Sequence, residues 1–353
     1  MREYRTNGNG DADPPPKFRR RISKSTESPR ISVFDFNETQ FNEWQAKSVD
    51  ECQPHTDKSV IRWVNIDGVH LPEIISKIGE AFGLHPLTIE DIYTIDQQPK
   101  VEALPEYALI IMRMIRTEGQ DGPVISEQVS IVLGPNFVLS FQEVEGDVFD
   151  SLRRRIREDG SRVRKSGADY LAYSLMDLIV DNYFVMLNEI SESIEKAQER
   201  IILEPTAGTL RDIYELKRGM AEMRRYTWPV REISLRLERE APQMFKKSTL
   251  PYLRDLYDHV LQITDHIEIY REWLASMLDI YLSSVTNRLN EVIKVLTVIS
   301  TVAIPPTVIG SWYGMNFMFM PELASIYSYP ILIIITIIMM LLMVVFFRRK
   351  RWI

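Results

Sequence analysis

The spacing of hydrophobic positions changes character several times along this chain. The first thirty residues carry no periodic apolar pattern. Short apolar runs then follow at 31–36, 60–66, 107–116, 124–133 and 137–141, each the length of a strand. Helical spacing interrupts them at 71–82 and 86–93. After Gly167 the strand signals stop. A long amphipathic helix is predicted over 169–203, ended by Glu204-Pro205, and a second over 206–240, kinked at Trp228-Pro229. The two form a helical hairpin. Next, Leu253, Leu256, Val260, Ile263, Ile267, Tyr270, Leu274, Met277 and Tyr281 alternate in steps of three and four, the seam of a coiled coil. No strong breaker follows, so the pattern predicts one helix over 250–312, ~94 Å long. Such a helix needs partners along its length, and parallel self-association around an axis would supply them.

Two uncharged stretches near the C-terminus change the picture. Residues 295–313 and 329–347 are each long enough, ~28 Å as helix, to cross the hydrocarbon core of a bilayer. Glu322 is the one charge between Val295 and Phe347. The second stretch is nearly all Ile, Leu, Met, Val and Phe, which suits lipid. The first carries Thr297, Ser300, Thr301, Thr307 and Ser311 around Pro305-Pro306. One hydroxyl can bond back to its own helix; the set together reads as a helix lining a water-filled path. Arg348, Arg349, Lys350 and Arg351 directly follow the second stretch, and the loop between the stretches has no Lys or Arg. The positive-inside rule then puts both termini in the cytosol of a multi-pass plasma or inner membrane protein.

Composition narrows the function. Of 353 residues 26% are charged, with a net charge of −7, which argues against nucleic acid as a partner. The N-terminus lacks the apolar core of a signal peptide, and the lone Cys52 fits a reducing compartment. Five histidines, one cysteine and no phosphate-cradling glycine loop assemble no catalytic constellation, so an enzyme is not expected. Seven acids (Asp255, Asp258, Asp265, Glu268, Glu272, Asp279, Glu291) face four bases between residues 250 and 294. Repeated around an axis, they would attract divalent cations. A basic cluster at 153–165 reads as a solvated helix face.

The resulting division is a disordered basic tail (1–30), a mixed α/β cytosolic domain (31–168), a helical hairpin (169–248), a stalk helix (249–294), a first transmembrane helix (295–313), an external loop (314–328), a second transmembrane helix (329–347) and a basic cytosolic end (348–353). The fold class is α+β membrane protein, with the very long stalk helix continuing into the first of two C-terminal spans.

The first span closes on Tyr313-Gly314-Met315-Asn316, with Met320-Pro321-Glu322-Leu323 shortly after. With Leu278-Asp279-Ile280-Tyr281-Leu282 and Asn290-Glu291-Val292-Ile293-Lys294 upstream, the chain resembles the CorA family of magnesium and cobalt transporters, within the two-span Gly-x-Asn superfamily. The resemblance is sharpest over residues 250–353. It implies a homopentamer around a pore, with Mg2+ as cargo and regulator and Co2+ or Ni2+ as substitutes. It places the selectivity filter at Gly314, Met315 and Asn316. The pore face falls on Asn290, Ile293, Leu296, Ser300, Ile304, Thr307 and Ser311, and the cytosolic mouth on Asp279 and the Arg348–Arg351 cluster. Regulatory metal is implied at Asp91 and Asp255 from neighbouring subunits, and at a second site near Glu90, Asp177 and His259. Mg2+ sheds water reluctantly, so a ring of Asn316 carbonyls would hydrogen-bond its hydration shell intact. Glu322 would concentrate cations outside. Ile304 stands where the family often has Met, and Pro305-Pro306 doubles a usual single proline. Two other readings compete: a zinc transporter of the same superfamily, which tends to depart from Gly-Met-Asn, and a non-conducting membrane-anchored scaffold or metal sensor.

Overall fold

The computed structural model describes residues 18–19, 29–95, 97–117, 124–240, 243–315, 320–321 and 325–352. Asn316 and Glu322 lie outside them. The chain divides into two compact units, Met1–Arg200 with Thr206–Met277, and Ile201–Pro205 with Leu278–Ile353.

The first unit is built on a mixed sheet. Its strands are β1 (Phe18–Arg19), β2 (Arg30–Phe36), β3 (Phe41–Ala46), β4 (Ile61–Asp67), β5 (Lys100–Ala103), β6 (Ala108–Thr117), β7 (Val124–Leu133) and β8 (Phe137–Gln142). Their order is β3-β2-β4-β8-β7-β6-β5, with β1 against the start of β7. The β4–β8 and β1–β7 pairs are parallel and the others antiparallel. β7 and β8 are buried throughout, as both faces are covered, and their polar Ser126, Glu127, Gln128, Ser130, Ser140 and Gln142 are buried with the rest. On one face, Ile75 and Ile78 of α1 (Pro72–Ala81) and Ile89 and Ile92 of α2 (Pro86–Tyr93) share a core with Val64, Ile66, Leu109, Ile111 and Leu139. Gly79 allows the two helices to approach: a Cβ there would lie 2.6 Å from the Ile89 side chain. On the other face, Trp63 stacks on Phe34 at 4.7 Å and meets the edge of Phe149, at the start of α3 (Asp150–Arg157).

Three long helices complete this unit: α5 (Ala168–Leu203), α6 (Ala207–Glu240) and the first part of α7 (Leu250–Tyr313), after the short α4 (Arg162–Lys165). The hairpin is tied near its turn by Arg200 to Asp212 at 2.8 Å. α5 anchors to the sheet where the Tyr183 hydroxyl and the Asn182 amide donate to the Arg113 and Ile115 carbonyls.

Several expectations are corrected. Phe18 and Arg19, placed in a disordered tail, form β1, because β7 extends past its pairing with β8 and leaves its start open. β3 and β5 were not expected; β3 is an edge strand whose Asn42, Glu43 and Gln45 keep it from reading as apolar. The basic cluster is not simply a solvated face. Arg153 bonds Asp147 and lies over Trp63, and the nearly buried Arg164 donates to the Asn37 carbonyl. The seam of α7 is covered within one chain, not by parallel copies: Leu253, Leu256, Val260, Ile263, Ile267, Leu274 and Met277 are buried. Contacts from α5 (Tyr170 and Tyr173 on Tyr252; Phe184 on His259) and α6 (Arg254 to Glu238; Arg224 to Glu268) hold it.

The second unit contains the rest of α7 and α8 (Ser328–Arg349), both long and apolar enough to cross a membrane. α8 is capped by Lys350, and Arg351 takes a left-handed backbone, φ 57°.

Candidate metal sites and pore helix

Asp177 and Asp181 lie one turn apart on α5, and Asp255 and His259 one turn apart on α7; four-residue spacing puts each pair on one helix face. Packing of the two helices brings one ligand atom each of Asp177, Asp181 and His259 within 4.8 Å of one another. His259 Nε2 is also 3.9 Å from an Asp255 oxygen. The buried His259 Nδ1 has no hydrogen-bond partner. Burial pushes the Asp177 carboxyl up to about 6; Asp181 and Asp255 add to this, while the Tyr173 hydroxyl and His259 oppose it. Burial also raises the Tyr173 phenol, with Asp177 next in effect. These carboxylates gather negative charge in a partly dehydrated place, a donor set that suits a divalent cation. The imidazole makes it better matched to Co2+ than an all-oxygen site would be.

Asp181 escaped the sequence reading, although its position one turn after Asp177 signalled it. Glu90 and Asp91 sit at the C-terminal end of α2. Neither joins a three-ligand group among the described residues. Asp91 is already engaged: Gln97 and Lys100 both donate to its carboxylate, and Lys100 also reaches Glu102 at 2.8 Å. Burial works against the Lys100 ammonium, but its bonds to Asp91 and Glu102 outweigh this and hold it above the usual lysine range.

In the second unit, Asn290, Ile293, Leu296, Ser300, Ile304, Thr307 and Ser311 form one stripe along α7, and every one is exposed. The covered positions are others: Val298 and Pro305 are buried, with Thr301, Val302, Pro306 and Ile309 half-buried. At about 100° per residue the two stripes are centred ~155° apart. α8 has its own covered stripe, Leu332, Thr336, Met340, Met343 and Phe347. Thr297 and Thr307 donate to the Ile293 and Ala303 carbonyls, so these two hydroxyls are satisfied by their own helix while their oxygens can still accept. α7 runs through Pro305 and Pro306 without a break. At its end Gly314 N donates to the Gly310 carbonyl at 2.9 Å, and a Cβ on Gly314 would lie 3.0 Å from that oxygen. Asp279, Arg348, Arg349, Lys350 and Arg351 are exposed.

Residues 58–349 match the family described as CorA-like Mg2+ transporter protein. The chain belongs to that family. It is 41% identical over 330 residues to the cobalt/magnesium transport protein CorA of Thermotoga maritima, covering 94% of each chain. It is 25% identical to the magnesium transport protein CorA of Escherichia coli K12, covering 86% of this chain and 95% of that one. The solved structure of the CorA magnesium transporter from Methanocaldococcus jannaschii superposes with a TM-score of 0.73 at 20% identity, over 91% of this chain and 98% of that chain, which shows the shared fold. Family members are membrane transporters rather than enzymes, and the two apolar helices fit that setting.

Proposed function

We propose that this chain assembles as a homopentamer that conducts hydrated Mg2+, and Co2+ less selectively, into the cell. The observation that carries the reading is the exposed stripe of α7. It lies roughly opposite the covered face and leads to Gly314-Met315-Asn316. A side of a membrane helix with Ser300, Thr307 and Ser311 is costly against lipid and favourable against water. Five such stripes around an axis enclose a path that is apolar at Ile293, Leu296 and Ile304 and polar above. The apolar part would gate by dewetting. Asn316 carbonyls would accept from the waters of the ion's first shell, and Gly314 keeps the backbone close to Gly310. Glu322 would raise the cation concentration at the outer mouth, and Asp279 with the Arg348–Arg351 cluster would border the inner one. Both termini lie in the cytosol.

Regulation follows from the first unit. Divalent metal bridging Asp91 and Asp255 of neighbouring subunits, and binding by Asp177, Asp181 and His259 with Glu90 nearby, would hold the assembly closed when intracellular Mg2+ is plentiful.

The test uses thiol labelling, since the native Cys52 is fully buried. Single cysteines at Leu296, Ser300, Thr307 and Ser311, and at the covered Val298 and Val302, are compared in proteoliposomes by Mg2+ flux before and after a cationic thiol reagent. Block at the first four and none at the last two is expected. Equal block on both faces, or no Mg2+ flux from the unlabelled protein, contradicts the proposal. Zn2+ flux driven by a proton gradient and exceeding Mg2+ flux would favour the zinc branch.

A further inference from the structure

A cavity of about 440 Å³ opens on the first unit between α6, α7 and the segment before β5. Three arginines line it: Arg224 and Arg225 of α6 and Arg271 of α7, with Trp228 and Gln98 beside them. Among the described residues no acid lines it. Glu268 pairs with Arg224 at 3.0 Å and with Arg271 at 2.8 Å, so one carboxylate answers two guanidinium groups. Arg225 is exposed and makes no ion pair among the described residues. The half-exposed Trp228 ring carries the Arg224 guanidinium at 5.5 Å and that of Arg231 at 5.8 Å. Stacking on indole fixes the plane of a guanidinium and leaves its N–H edge free to donate.

The described lining is thus cationic in a protein of net negative charge. We propose that this cavity binds a polyphosphate anion, in which Arg225 and the free edges of Arg224 and Arg271 grip the phosphate oxygens. Guanidinium forks match phosphate oxygens two at a time, and several charges within one small cavity favour an anion carrying several charges of its own. The volume accommodates a bare triphosphate or the triphosphate end of a nucleotide with part of its base. Glu268 holds Arg224 and Arg271 in place against their mutual repulsion.

Calorimetry on the full-length protein in detergent, in chelator-free buffer stripped of divalent metal, tests this apart from transport. The titrants are inorganic triphosphate, ATP, adenosine and citrate. Saturable binding of triphosphate is expected, weakened at least tenfold by Arg225→Glu and by Arg224→Gln with Arg271→Gln, and weakened by salt. Adenosine is expected not to compete. ATP tighter than triphosphate identifies a nucleotide as the source; equal affinities identify phosphate alone. Thermal melts of the variants establish that they fold, and Arg225, being exposed, is the safer of the two. Absence of saturable binding, binding unchanged by Arg225→Glu in folded protein, or citrate as tight as triphosphate would overturn the proposal. An acidic surface of another subunit filling the cavity would appear as the first of these outcomes.

Discussion

The two parts of α7 share one helix and one apolar spacing but meet different surroundings. From Leu253 to Met277 the seam is buried under α5 and α6 of the same chain. From Leu278 on, Leu282, Leu289, Val292, Leu296 and Ile299 are exposed. The first part therefore stabilises the fold of one subunit and, on its flanks, positions Asp255 and His259. The second has no cover of its own along most of its length. In the proposed assembly, lipid and other copies of the chain would supply it, with the polar stripe facing the axis.

Substitution can break this contrast. Leu256→Ala removes a fully buried side chain and should cost about 2–5 kcal/mol of stability. Leu289→Ala, more than half exposed, should change the stability read by denaturant unfolding by less than about 0.5 kcal/mol. Equal losses would mean that both parts are packed alike within a single chain.

A smaller effect is expected at Lys100. Its ammonium holds the Asp91 carboxylate within the subunit, where a bridging metal would need it. Lys100→Met should lower the Mg2+ concentration that protects the protein from protease by several-fold, since an opposite charge at contact competes directly with the ion. An unchanged protection midpoint would remove Asp91 from the regulatory site.

The smallest effect is one of pH, confined to the first unit. Burial, then Asp147, pushes the Asp67 carboxyl up to about 7. The folded state keeps this proton between about pH 4 and 7, where the unfolded chain releases it. Stability from this group is therefore present at low pH and lost as pH rises through 7. Asp67→Asn should flatten that slope and raise stability at pH 8 by on the order of 1 kcal/mol, read by thermal unfolding. No gain at pH 8 would show that Asp67 ionises freely.

The buried strands were legible from their content of Val, Ile, Leu and Phe between turn residues, and the long helices from apolar spacing sustained over many turns. β7 was read with its observed ends, and α7 to within one residue. β3 and β5 were not, because edge strands carry charged and amide side chains on their open side and lose the apolar signal. The seam of α7 was legible as a seam, but its partner was not: a heptad pattern does not distinguish a second copy from a hairpin folded back from earlier in the same chain. The inward turn of Arg153 and Arg164 was hidden for a related reason, since their acceptors, Asp147 and the Asn37 carbonyl, lie on other elements. Asp177 and His259 entered through family resemblance, and only packing of α5 on α7 brings in Asp181.

The central claim is that α7 ends in a filter that acts on hydrated Mg2+. Mg2+ uptake into cells lacking their own Mg2+ transport, compared between wild type and Asn316→Ala at matched expression in the membrane, tests it most directly. The account predicts strong uptake with the wild-type chain and loss of most of it in the variant. Uptake unchanged by Asn316→Ala would contradict it.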